Sequence, residues 1–205
     1  MITIVDYDAG NLTSVYRALK HLGIESKISG NPNEIEQAER IIFPGVGHAK
    51  SAMASLKSKK IDTALKNAFA KGTPIMGICL GTQIILSHSE EGDTDTLGLI
   101  DGKCVKFNLS DKSLKIPHMG WNNVKIIKPH FIMKDLTPAD EMYFVHSYFP
   151  QPADKSCVFA TTDYGIDFCC AMGYKNLFAV QFHPEKSGEV GLSLLRNFAV
   201  WNESF

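Results

Sequence analysis

Cys79 stands between two glycines, in Gly77-Ile78-Cys79-Leu80-Gly81. The spacing is that of a nucleophile elbow, with sulfur where other hydrolases carry a serine oxygen. Glycine on both sides permits a sharp turn, so that the central side chain stands exposed at the end of a sheet. A helix starting at once would aim its positive end at the sulfur and favour thiolate. The Leu80 N–H would then be placed to donate to an oxyanion. A cysteine alone is most often an inert core residue, so the chemistry requires a base. Phe182-His183-Pro184-Glu185 supplies one. In an extended chain, residues two apart face the same way, which brings Glu185 to the side of His183. An imidazole beside a thiol takes its proton and later passes it to a leaving amine. A carboxylate on the other ring nitrogen fixes the tautomer and stabilises the imidazolium. Taken singly, each of the seven histidines reads as structural, and His21, His88 and His130 keep that reading.

A third stretch, Pro44-Gly45-Val46-Gly47, closes a strand-like run. It is either a plain glycine turn or a place where bare backbone approaches a substrate. No Gly-Lys-Ser/Thr follows it and no Gly-x-Gly-x-x-Gly occurs, so phosphate-loop and dinucleotide readings have no support. Ile116 to Asn122 and Met142 to Tyr148 set aromatic and polar groups beside each other. Each suits a core edge or a binding surface.

These residues need a scaffold. Ile2 to Tyr7, Ile24 to Ile28, Arg40 to Phe43 and Pro74 to Ile78 are short apolar runs separated by helical periodicity. That alternation predicts a parallel sheet with helices on both faces. Asn31-Pro32-Asn33 reads as a break, and Leu80 to Ser87 as a helix. Beyond Gly98, six runs look like strands with few helices between them: 103–107, 121–127, 142–147, 158–162, 168–174 and 177–182. This half is expected to be mixed or antiparallel. A last helix is expected from Gly188 to Trp201. The Glu90–Asp95 acidic segment reads as a solvated loop. The fold class is therefore α/β, an open and mostly parallel sheet with an added antiparallel portion. A chain of 205 residues is expected to form one domain, 1–205.

Hydrophobic content is 44% and net charge is −1, which gives no reason to expect nucleic-acid or membrane binding. The amino terminus lacks a basic start and a cleavage site and reads as a strand. Five cysteines without a Cys-x-x-Cys make a disulfide framework or zinc site improbable and point to the cytoplasm. No metal and no cofactor is expected.

Taken together, the elbow at 77–81, Gln181-Phe182-His183-Pro184-Glu185-Lys186 and the 44–47 turn resemble the class I glutamine amidotransferases nearly end to end. The turn at Tyr7–Leu12, Pro117-His118-Met119-Gly120-Trp121-Asn122 and His146-Ser147-Tyr148 narrow the resemblance to the glutaminase subunits of imidazole glycerol phosphate synthases. That resemblance implies a Cys79–His183–Glu185 triad. It assigns glutamine binding to Gly45, Gln83, Ser147 and Tyr148, and oxyanion N–H groups to Val46 or Gly47 and Leu80. Asn11, Trp121, Tyr143 and Lys186 would lie towards a partner. Thr82 and His48-Ala49 depart from the family's commoner residues, methionine and Ala-Phe.

The implied reaction is thiolate attack on the glutamine carboxamide, loss of ammonia and hydrolysis of a thioester. No phosphosugar-binding motif is present. Ammonia released into water would be largely protonated, so a receiving partner is expected. By resemblance it is a (β/α)8 barrel cyclase, which makes imidazole glycerol phosphate from a ribulosyl-aminoimidazole-carboxamide nucleotide. A synthase of modified-sugar biosynthesis is the alternative acceptor. A Cys-His peptidase, a γ-glutamyl hydrolase and a non-enzymatic scaffold are the rivals from other classes.

Overall fold

The computed structural model describes residues 1–202; the last three residues of the expected 1–205 domain lie outside them. The first half alternates as expected. It runs β1 (Ile2–Val5), α1 (Leu12–His21), β2 (Ser26–Ser29), α2 (Pro32–Glu36), β3 (Ile41–Gly45), α3 (Ala49–Ser58), α4 (Ile61–Ala70), β4 (Ile75–Cys79) and α5 (Leu80–Ile84). The Asn31-Pro32-Asn33 break is instead a helix start. The Asn31 side chain accepts from the Asn33 N–H at 3.0 Å, and Pro32 occupies the first turn, where a missing N–H costs nothing. The elbow helix is also shorter than expected and ends at Ile84.

The second half is nearly all strand: β5 (His88–Ser89), β6 (Thr94–Asp95), β7 (Gly102–Lys106), β8 (His118–Asn123), β9 (Lys125–Ile126), β10 (Glu141–His146), β11 (Tyr148–Pro152), β12 (Val158–Asp163), β13 (Asp167–Tyr174) and β14 (Leu177–Val180). It closes on α6 (Gly188–Val200). The acidic segment is no free loop. It joins β5 to β6, Glu91 Oε2 accepts from the Ala49 N–H at 2.6 Å, and Glu90 Oε2 accepts from the Lys106 N–H at 2.8 Å.

One sheet of order β2-β1-β3-β4-β14-β13-β12-β9 forms the spine. Its first five strands are parallel, and β13, β12 and β9 are added antiparallel. The β8–β10 hairpin and a smaller sheet of order β11-β7-β5-β6 stand beside it. Strands buried on both faces need continuous apolar runs, and β1, β3, β4 and β14 are buried throughout. Two cores result. Val15 and Leu19 of α1 and Leu194 and Phe198 of α6 cover one face. Met53 and Leu56 of α3 and Ile61 and Leu65 of α4 cover the other. Each such side chain contributes about 1.5–3 kcal/mol on burial. The two helical layers thereby lock the strand positions that matter for the site.

Register then sets the site. Gly45 pairs with Cys79, and Val180 pairs with Ile78. Three adjacent parallel strands therefore deliver Gly45 to Gly47, Cys79 and Gln181 to Glu185 to one edge, the carboxyl end, where open α/β sheets bind ligands.

Candidate active site

Cys79 sits at φ 54° and ψ −107°. A non-glycine residue held there stores about 1–3 kcal/mol of backbone strain, which the flanking contacts must sustain. Gly81 makes the turn sterically feasible, since a Cβ on it would lie 1.9 Å from the Phe43 carbonyl oxygen of β3. The hydroxyl of Thr82 donates to the Val180 carbonyl at 2.6 Å, tying α5 to β14. This is the use of a residue that departs from the family's commoner methionine. The other departure, His48, accepts from the Lys50 N–H at 3.2 Å and starts α3.

His183 is fully buried, and its Nδ1 lies 2.8 Å from Glu185 Oε1. The pairing is not that of an extended chain. His183 caps a short 3-10 turn, Pro184–Lys186, and the turn folds Glu185 back onto it. The loop is pinned from below: the Ser187 hydroxyl donates to the His183 carbonyl at 2.6 Å and accepts from the Tyr143 N–H at 3.0 Å. Asn11 Nδ2 donates to Glu185 Oε1 at 2.6 Å, so its amide serves the pair from within the chain. Among the described residues, His183 Nε2 and Glu185 Oε2 are buried without a hydrogen-bond partner.

Burial pushes the His183 imidazole down, but the adjacent Cys79 sulfur and the Glu185 carboxylate outweigh it and hold it up at about 10. A proton is therefore stored beside the sulfur at neutral pH. With α5 only five residues long, the charge on His183 dominates the local field at the sulfur over any helix dipole. Tyr7 is buried nearby, its hydroxyl against Gly45, and burial together with the Cys79 charge pushes its phenol far up.

Cys79 opens into a cavity of about 360 Å³. Val46, Gly47, Leu80, Gln83, Ser147 and Tyr148 all line it. Glu91 lines it too, and only the fold brings it there from the acidic segment. Gly45 stands behind Val46 as the residue paired with Cys79. Trp121 and Tyr143 are cross-strand neighbours on the outer face of the hairpin, their rings 6.0 Å apart, with Lys186 Nζ 5.9 Å from the Tyr143 ring. Met119 and Trp121 are 62% and 53% exposed, a sizeable apolar area to leave in water. Among the described residues no cluster of His, Cys, Asp and Glu could hold a metal ion, and no helix is long and apolar enough to cross a membrane.

Comparison with known proteins agrees with this geometry. The class-I glutamine amidotransferase family model matches residues 3–201. The imidazole glycerol phosphate synthase subunit HisH of Nitratidesulfovibrio vulgaris is 48% identical, with 97% of this chain and 95% of that one covered. The subunit of the same name from Dehalococcoides mccartyi is 46% identical, covering 97% and 96%. Among solved structures, a glutamine amidotransferase superposes with TM-score 0.75 at 18% identity, covering 98% and 100% of the two chains. The PurLQS complex of Thermotoga maritima contains a chain that superposes with TM-score 0.74 at 20% identity, covering 96% of each; both show a shared fold. An elbow cysteine beside a carboxylate-held imidazole, on this sheet and with this family match, places the chain among the class-I glutamine amidotransferases.

Proposed function

We propose that the chain is the glutaminase subunit of an imidazole glycerol phosphate synthase, a single cytoplasmic domain over 1–205. The similarity to the HisH subunits, 46–48% over nearly the whole length, supports the choice of synthase. The observation that carries the chemistry is the buried His183 imidazole, held 2.8 Å from Glu185 and facing the Cys79 sulfur.

Cys79 thiolate attacks the carboxamide carbon of L-glutamine, and the carbonyl electron pair moves to oxygen. N–H groups at Leu80 and at Val46 or Gly47 receive that oxyanion. The C–N bond breaks as His183 delivers its Nε2 proton to nitrogen, and ammonia leaves. Water then attacks the γ-glutamyl thioester and gives a proton to His183. Collapse releases glutamate and restores thiolate. Gly45, Gln83, Ser147 and Tyr148 hold the substrate, and the Glu91 carboxylate is placed to meet its ammonium group. Ammonia passes to a (β/α)8 barrel cyclase seated on the Trp121, Tyr143 and Lys186 face, with Asn11 beneath it bracing Glu185.

Glutaminase activity should be weak for the chain alone and should rise with the cyclase and its nucleotide. Co-purification with the cyclase and ammonia-independent synthesis of imidazole glycerol phosphate test the assignment. Equal turnover with and without partner, or selection of a different synthase, would refute it. Cys79→Ala should abolish hydrolysis of glutamine while leaving the fold intact. Cleavage of γ-glutamyl peptides in preference to glutamine would point to the hydrolase reading.

A further inference from the structure

Two buried histidines take no part in that reaction. His118 Nδ1 lies 3.1 Å from His146 Nε2, and His146 Nδ1 lies 2.8 Å from the Tyr148 carbonyl oxygen. A carbonyl can only accept, so His146 Nδ1 must carry the proton. A neutral imidazole has one donor and one acceptor, so His146 Nε2 accepts, His118 Nδ1 donates and His118 Nε2 accepts. The Asn122 amide meets that nitrogen at 3.3 Å with its Nδ2. Every orientation in this arm follows from one backbone oxygen. Burial holds both rings neutral, His118 pushed down to about 4 and His146 to about 3.

The same oxygen fixes a second arm. It also accepts from Gln83 Nε2 at 2.9 Å, which sets that amide's orientation. Gln83 Nε2 donates further to Gln181 Oε1 at 3.2 Å. Gln181 is fully buried, and its orientation is settled in turn: its Nε2 faces the Cys79 sulfur at 3.8 Å.

We propose that Gln181 is a catalytic residue whose amide N–H steadies the Cys79 thiolate, and that His118 and His146 are positioning residues that orient it through the Tyr148 carbonyl and Gln83. The β8–β10 hairpin is thereby joined to the sulfur by an unbroken set of hydrogen bonds. The inference rests on Cys79 being the nucleophile.

The test is the rate at which iodoacetamide alkylates Cys79 in the full chain at pH 7, read by peptide mass spectrometry, with thermal melting as the check on folding. Gln181→Met keeps the length and removes the donor, and should slow labelling about tenfold, the scale of one hydrogen bond to a charged group. Gln181→Glu, which sets an acceptor against the sulfur, should slow it further. His146→Asn retains an N–H near the Nδ1 position and should stay within about twofold of the unaltered chain, whereas His146→Phe should fall about threefold. A folded Gln181→Met chain labelled at the unaltered rate overturns the proposal. Should that variant not fold, His146→Phe labelled as fast as His146→Asn overturns it instead. If Cys79 of the unaltered chain reacts no faster than buried Cys104 or Cys157, the reading of Cys79 as nucleophile fails first.

Discussion

The chain buries histidine in two neighbouring places and shifts the two in opposite directions. His183 is held up at about 10, while His118 and His146 are pushed down to about 4 and about 3. Burial acts downwards on all three, so partners decide. His183 faces a carboxylate and a sulfur, and both raise it. The hairpin pair faces a carbonyl, an amide and aromatic rings, with Phe144 stacked 4.8 Å and Tyr164 4.0 Å from the His118 ring. One region stores a proton for transfer. The other fixes hydrogen-bond direction without charge.

Breaking the first region should have the largest effect. Glu185→Gln removes the anion that orients His183 and should lower glutaminase kcat/KM about 10³-fold, with the protein still folded, in a steady-state assay. It should also shift the acid-dissociating limb of the pH–rate profile downwards, because His183 loses the partner that holds it at about 10. A variant with the unaltered profile would show that the carboxylate does not govern the imidazole.

Next comes the elbow that presents the sulfur. Gly81→Ala drives a methyl group into the Phe43 carbonyl, 1.9 Å away. The backbone must shift, which should cost about 2–3 kcal/mol in denaturant melts and disturb Cys79 reactivity as well. Unchanged stability would mean that the turn has more room than its geometry implies.

The smallest effects sharpen the contrast through the pH dependence of stability. A raised folded-state pKa gives stability that is complete below the unfolded value and lost as the group deprotonates. The His183 contribution should therefore be full below about 6.5 and vanish as pH rises through about 10. For His118 and His146 the sign reverses. The unfolded chain binds more protons between about 4 and 6.5, so their contribution is present above about 6.5 and drains away as pH falls towards 4 and 3. Urea midpoints of His183→Gln and His146→Asn against pH should show slopes changed on opposite sides of neutrality. Changes on the same side would remove the distinction.

The chemistry was more legible in the residue order than its supports were. The elbow glycines and the alternation through β4 are local patterns that stand where the sequence puts them; His183 and Glu185 do pair, but across a 3-10 turn rather than along an extended chain. β11 was hidden because Pro150 and Pro152 argue against a strand; it is an edge of the small sheet, where a missing N–H is tolerated. α2 was hidden by a proline that begins a helix rather than breaking the chain. Glu91 looked like one more solvated acid until β5 and β6 folded it over α3. His118 and His146 are 28 positions apart and meet only through the β8–β10 register. Gln181 sat inside a recognised motif, but its role depends on which way an amide points, and that follows only from a completed hydrogen-bond network.

The proposed chemistry turns on a protonated imidazole activating one sulfur. The direct test is the intact mass and peptide map of the chain after reaction with a glutamine-analogue electrophile, with and without His183→Gln. One adduct is expected, on Cys79, formed at least about 100-fold more slowly in the variant. An adduct on another residue, or equal rates with and without the imidazole, would contradict it.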